Sequence, residues 1–237
     1  RYGGAGEEAV SRLSFTVRRG QTVGIIGGTG SGKTTLANLI LRYYDTTDGK
    51  IELFGRDIRT LSENALRRTV TIVPQRPRLF RGTIRSNLLL AAPEAGDEAL
   101  WHALSLSQAA DFVREKPGGL DAPVEQDGAN FSGGQQQRLT IARALLAGAK
   151  ILILDDSFSA LDYATDAALR RGLSTLPDDI TVFLISQRVG SLASADLILV
   201  LEDGALVGEG RHEELLTASA VYREIYESQT KKEGEEA

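Results

Sequence analysis

The stretch Gly27-Gly28-Thr29-Gly30-Ser31-Gly32-Lys33-Thr34 satisfies the spacing G-x-x-x-x-G-K-[ST]. This pattern suits the phosphates of a nucleoside triphosphate. Glycines let backbone N–H groups wrap phosphate oxygens, and the N-terminus of a following helix adds partial positive charge. Lys33 reaches the β and γ phosphates, and Thr34 offers a hydroxyl to Mg²⁺. The expected nucleotide-binding set is Gly28, Thr29, Gly30, Ser31, Gly32, Lys33, Thr34 and Thr35. A carboxylate is needed to hold the metal, and Ile151-Leu152-Ile153-Leu154 runs directly into Asp155 and Asp156. Asp155 is thereby placed at the carboxyl end of a buried strand, where parallel sheets put their ligand sites, and is expected to hold Mg²⁺ through water.

These residues need a scaffold of alternating strands and helices. Short apolar runs predict buried strands at Thr22–Ile26, Val70–Val73, Ile151–Leu154, Thr181–Ile185 and Leu197–Leu201. Helical spacing follows at Lys33–Arg42, Tyr163–Leu173, Arg188–Leu192 and His212–Thr217. This is the order of an α/β fold on a mainly parallel sheet. Between about residues 85 and 146 the strands stop and the spacing turns helical, over Ala99–Leu106, Gln108–Arg114 and Gln135–Leu146. An α-helical subdomain inserted into the sheet core is expected there, within one domain spanning 1–226. Residues 227–237 read as a charged, solvated tail.

Composition removes several alternatives. The 237 residues carry 27 Lys and Arg against 32 Asp and Glu, a formal charge of −5, so nucleic acid is not an expected partner. There is no Cys, hence no thiol nucleophile or zinc-thiolate site, and His102 and His212 stand alone. No apolar run is long enough to cross a bilayer. The chain starts at Arg1 and contains no Met, which suggests a piece excised from a longer protein. Six arginines between Arg67 and Arg85 read as a solvated basic face, and Trp101 as core of the helical insert.

Further segments narrow the reading to one family. Phe131-Ser132-Gly133-Gly134-Gln135, followed by Gln136-Gln137-Arg138-Leu139 and ending 16 residues before Ile151, resembles the signature motif of ATP-binding cassette (ABC) proteins, with Phe in its first place. Gln75, after Val70–Val73, resembles that family's Q-loop glutamine, and Ser159-Ala160-Leu161-Asp162 its D-loop. Tyr2 falls where the family carries the aromatic that stacks on adenine. The run Leu79-Phe80-Arg81-Gly82-Thr83-Ile84 is similar to the exporter branch. The resemblance implies a P-loop NTPase (RecA-like) core with an antiparallel β subdomain and a helical insert. It implies ATP and Mg²⁺ as ligands, with Thr34, Asp155 and Gln75 serving the metal. It also implies a head-to-tail dimer in which Phe131, Ser132, Gly133, Gly134 and Gln135 act on the partner's ATP. A transmembrane domain at the cytoplasmic face of the membrane is the other implied partner.

Two positions depart from the family's pattern. Asp156 stands where a glutamate normally polarises the attacking water, its carboxylate withdrawn by about 1 to 1.5 Å. Gln187, in Ile185-Ser186-Gln187-Arg188, stands where a histidine contacts the γ-phosphate and the water. A neutral amide hydrogen-bonds but cannot carry charge or shuttle a proton. With the binding positions kept, the expectation is a hydrolytically impaired site in a heterodimeric exporter of the multidrug class. The alternatives are a competent homodimeric ABC ATPase and a soluble ABC ATPase with no role in transport. A milder departure is Gln126, in Val124-Glu125-Gln126-Asp127-Gly128, which replaces a glutamate that many exporters carry just before the signature.

Overall fold

The computed structural model describes residues 9–235, so Tyr2 lies outside the described residues. The core is a six-stranded sheet built from β1 (Thr22–Ile26), β4 (Val70–Val73), β7 (Ile151–Asp155), β8 (Thr181–Ile185), β9 (Leu197–Glu202) and β10 (Ala205–Gly210). Its spatial order is β10-β9-β1-β8-β7-β4, all parallel except β10, which runs antiparallel to β9. Every residue of β7 and β8 is buried, the condition in which strands read as continuous apolar runs rather than alternating ones. Side chains still alternate between faces. Ile25, Ile153, Phe183 and Ile185 pack on one side with Leu36 and Ile40, while Ile26, Leu152, Leu154, Val182 and Leu184 pack on the other with Leu169 and Leu173.

The helices on these faces are α1 (Lys33–Ile40), α2 (Glu63–Thr69) and α7 (Tyr163–Leu173), with α8 (His212–Ala218) and α9 (Ala220–Glu235) closing the chain. Two short antiparallel strand pairs join them, the hairpin of β2 (Glu52–Leu53) with β3 (Arg56–Asp57), and β5 (Gly82–Thr83) with the sequence-distant β6 (Pro123–Val124). Residues 84–146 carry α3 (Ile84–Leu89), α4 (Asp97–Leu106), α5 (Ala110–Glu115) and α6 (Gly133–Leu146). These helices enclose an apolar cluster of their own, including Ile84, Leu88, Leu100, Leu104, Val113 and Phe131. Trp101 packs at its edge with the Arg114 guanidinium over its ring. Helix α6 contributes to two cores, with Leu139 and Ala142 in the insert's cluster and Ile141 and Ala144 in the sheet's.

Several elements differ from the sequence-based expectation. Helix α1 ends at Ile40; Arg42 leaves the helix with φ 53° and turns its guanidinium to Asp45 (2.8 Å) and the Ile58 carbonyl (3.2 Å). The helix expected over Arg188–Leu192 is a single 3₁₀ turn, Val189–Ser191. Local side-chain bonds compete with a longer helix there: the Arg188 N–H donates to Ser186 Oγ, and Ser191 Oγ donates to Asp166 Oδ2 (2.8 Å). Strand β10 escaped the reading because Gly208 and Gly210 interrupt its pattern; a Cβ at Gly208 would lie 3.2 to 3.3 Å from Ser219 and Leu215 side-chain atoms. Residues 227–235, expected as a solvated tail, continue the backbone of α9.

The topology gathers the candidate residues. In the order β1-β8-β7-β4, each strand's carboxyl end delivers one of them: the phosphate loop after β1, Gln187 after β8, Asp155 and Asp156 at β7, and Gln75 after β4.

Candidate functional site

The phosphate loop is shaped by close approach and by left-handed backbone. A Cβ on Gly27 would lie 2.1 Å from the Leu201 carbonyl oxygen, so only glycine fits where β1 enters the loop. Gly30 and Gly32 have φ of 82° and 97°, a region that side-chain-bearing residues rarely adopt. Ser31 between them is buried, and its carbonyl accepts from the Gly204 N–H (3.3 Å). Lys33 folds back inside the loop, its Nζ donating to the carbonyls of Gly27 (2.8 Å) and Gly28 (2.7 Å) and to Ser31 Oγ (3.2 Å). Burial lowers the Lys33 pKa, opposed by the nearby carboxylates of Asp156 and Asp155. Gly28, Thr29, Gly30 and Thr34 are exposed at this end of the sheet.

Asp155 is buried at the tip of β7 and accepts a hydrogen bond from the Thr34 side chain. Burial raises its pKa, with a further push from the Asp156 carboxylate; Thr34 and Lys33 pull the other way. Asp156 turns out of the strand with φ 47°, a left-handed conformation that aspartate tolerates better than most residues. Its N–H donates to the Ile185 carbonyl (2.9 Å), and its carbonyl accepts from Ser159 Oγ (2.8 Å). Gln75 closes the arrangement, Nε2 donating to Asp156 Oδ2 at 2.9 Å. Lys33, Thr34, Gln75, Asp155 and Asp156 thus meet at one sheet edge. The donor set there (hydroxyl, carboxylate and amide) matches a hard oxygen-liganded cation, and the cradle at Gly27 matches a triphosphate.

The side chain of Gln187 is exposed, while its backbone is held by α9: Gln229 Nε2 donates to the Gln187 carbonyl (2.6 Å), and Gln229 Oε1 accepts from the Val189 N–H (2.9 Å). Between them Arg188 sends its guanidinium toward the carbonyls of Ser159 (3.4 Å) and Leu161 (3.5 Å), passing over the Tyr163 ring. Asp162 caps α7, accepting from the Thr165 N–H (2.9 Å) and Thr165 Oγ1 (2.8 Å), bonds that lower its pKa.

Ser132 is the N-cap of α6. Its Oγ accepts from the Gln135 N–H (3.3 Å), and the Gln135 side chain accepts from the Ser132 N–H (3.1 Å), a reciprocal capping box. Ser132 and Gly133 are exposed, while Gly134 backs onto the segment before Asp162; a Cβ there would lie 3.2 Å from the Ala160 carbonyl. Phe131 is buried in the insert, edge-on to Phe112, and anchors the motif without facing outward. Behind it, Gln137 is buried, with Nε2 3.5 Å from the Pro74 carbonyl that precedes Gln75. Ser157 Oγ ties β7 to the end of β4 through the Val73 carbonyl (3.1 Å). Arg188, Gln229, Gln137 and Ser157 did not stand out in the sequence, because each works through a contact that only the folded topology creates.

A family model described as ABC transporter matches residues 10–159. The chain belongs to the ABC transporter family. It is 40% identical over 229 residues to the ATP-dependent lipid A-core flippase of Vibrio parahaemolyticus, covering 96% of this chain and 39% of that protein. It is 41% identical over 237 residues to the uncharacterized ABC transporter ATP-binding protein YfiB of Bacillus subtilis, covering all of this chain and 41% of the relative. The chain therefore spans about two fifths of the length of the curated relatives it matches. Its backbone superposes with a TM-score of 0.91 and 35% identity on a bacterial Atm1-family ABC exporter with ATP bound, covering 94% of this chain and 40% of that one. The fold is that of an exporter-type ABC nucleotide-binding domain, a P-loop NTPase with a mixed, mostly parallel sheet and a helical part.

Proposed function

We propose that this chain is the ATP-hydrolysing domain of an ABC exporter and that the site built on its own phosphate loop is slow. Gly28 to Thr35 bind the triphosphate, with Lys33 leaving its loop carbonyls for the β and γ phosphates. Thr34, Asp155 and Gln75 would hold Mg²⁺, which would offset the negative charge developing during phosphoryl transfer. Asp156 orients the attacking water, and Gln187 offers an amide to the γ-phosphate. Tyr2 stacks on adenine, and Asp162 lies on the face turned to the partner.

The observation that carries the slow-site reading is the Asp156 carboxylate. It is shorter than a glutamate's, starts from a left-handed backbone, and is hydrogen-bonded to Gln75 at 2.9 Å. A misplacement of about 1 Å at a reacting centre can cost on the order of a hundredfold in rate. The exposed capped end of α6 supports the second half of the reading. Its partial positive charge at Ser132 and Gly133 would complete the ATP site of a second nucleotide-binding domain, head to tail. With one site slow and the signature whole, that partner is a different chain bearing the competent catalytic residues. The pair drives a transmembrane domain from the cytoplasmic face of the membrane.

ATP turnover of the chain, alone and with Asp156→Glu plus Gln187→His, tests this. Slow turnover that rises at least tenfold with the double substitution is the expected result. Fast turnover unaffected by the substitutions would instead favour a competent homodimer.

A further inference from the structure

We propose that Gln229 of α9 is a positioning residue for the loop that carries Gln187. This rests on the reading above, in which the Gln187 side chain meets the γ-phosphate. Just past β8 the Ser186 N–H still donates to the Ile25 carbonyl of β1 (3.1 Å), and the next residue, Gln187, is exposed. Gln229 holds the chain where this pairing ends. Its amide grips the loop at two points, donating to the Gln187 carbonyl at 2.6 Å and accepting from the Val189 N–H at 2.9 Å. A primary amide satisfies both contacts at once because it offers an N–H donor and a carbonyl acceptor side by side. The grip spans the residue between them, Arg188, whose guanidinium faces the Ser159 and Leu161 carbonyls on the far side. The loop is thus held between α9 and the segment leading to Asp162. Val189 is buried, so its N–H has no ready access to water in place of Gln229. Gln229 is 42 residues from Gln187 and touches no residue of the phosphate loop in these contacts, so its effect on nucleotide is exerted through the loop backbone alone.

Discrimination for the γ-phosphate is retained by a slow site and depends on where the loop holds Gln187. In the intact transporter, Gln229→Leu removes both hydrogen bonds at nearly constant side-chain size. It is expected to lower the ratio of ATP to ADP affinity about as much as Gln187→Ala does, several-fold, with ADP affinity unchanged. The double variant is expected to lose no more than either alone, since both act through one contact. Thr230→Val serves as the control for changes in α9 itself, since the Thr230 hydroxyl bonds to the Tyr226 and Glu227 carbonyls of its own helix. Amide hydrogen exchange is the second measurement: Gln229→Leu should speed exchange at Val189 by at least tenfold while the β7 and β8 amides stay protected. If Gln187→Ala lowers the ratio and Gln229→Leu does not, or if Val189 exchange is unchanged, the proposal is overturned. If Gln187→Ala itself leaves the ratio unchanged, the role given to Gln187 fails first and the proposal falls with it. Thermal unfolding of each variant separates these outcomes from general destabilisation, because misfolding would lower ADP affinity as well.

Discussion

At the scale of single residues, Asp155 shows how a carboxylate proposed to hold a cation is kept at a cost to the fold. Its carboxylate sits buried at the end of an apolar strand with one hydroxyl partner, and burial raises its pKa above the ordinary 3.8. Between 3.8 and that higher folded value, the folded chain keeps a proton that the unfolded chain has released. Stability therefore falls as pH rises through this window, and the full penalty is in place only above the folded value. Asp155→Asn is isosteric and can still accept from Thr34. It is expected to raise the melting temperature at pH 7, by roughly 2 to 4 °C per kcal/mol recovered, and to abolish Mg²⁺-dependent ATP binding. Thermal unfolding between pH 4 and 7 checks the sign: a wild-type chain that gained stability relative to the variant as pH rose would contradict the assignment.

Much of the site was legible at this scale. Lys33, Thr34 and the glycines announce themselves by spacing, and Asp155 by the apolar run before it. Gln229 was not legible, because a glutamine on a polar helix looks like any solvated residue until the chain's return brings it to Gln187.

At the scale of elements, the cap of α6 has a structural role, and the second role proposed for it can be separated by mutation. Ser132→Ala removes the oxygen that accepts from the Gln135 N–H and is expected to cost about 1 kcal/mol of stability. In the proposed assembly it also lowers the turnover of the partner's site by at least tenfold while leaving ATP affinity at this chain's own loop unchanged. Paired measurements of turnover in the complex and nucleotide affinity of the chain decide it; equal losses in both would mean that the cap is only structural.

Element boundaries were less legible than the motifs. The Asp203-Gly204 pair joining β9 to β10, with φ of 46° and 79°, is a two-residue hairpin turn whose Asp-Gly signal was present in the sequence but went unused. Phe54-Gly55, with φ of 52° and 76°, turns β2 into β3 in the same way. The expected helix over Arg188–Leu192 failed for a different reason: its apolar spacing is real, since Val189 and Leu192 are buried, but side-chain bonds from Ser186 and Ser191 end it after one turn.

At the scale of the whole molecule, the sheet domain and the helical insert hold separate apolar cores that meet along α6, where Leu145 packs against both. Arg85 braces the insert from within, bridging Asp97 and Asp121; these partially exposed pairs are screened by salt. The insert's α3, α4 and α5 are expected to exchange their amides as one cooperative unit, less protected than β1, β7 and β8. Native-state hydrogen exchange would show this as a group of amides sharing an opening free energy below the global value. Protection equal to that of the central strands would mean that the two cores unfold together. The insert was legible as a loss of strand periodicity after residue 85; its independence was not, since it depends on which helices face each other.

Helix α6 runs through both bodies, and its 14 residues make it a rod about 21 Å long. Its rear half is seated in the sheet's core by Ile141 and Ala144, while Phe131 and Leu139 at the front belong to the insert. A tilt of about 10° around the seated end would therefore carry Ser132 through roughly 3 Å, about the length of a hydrogen bond. The Pro74 carbonyl beside Gln137 marks where such a tilt would be felt, one residue before Gln75. A small change beside Gln75 would thereby become a made or broken contact at the tip of the helix.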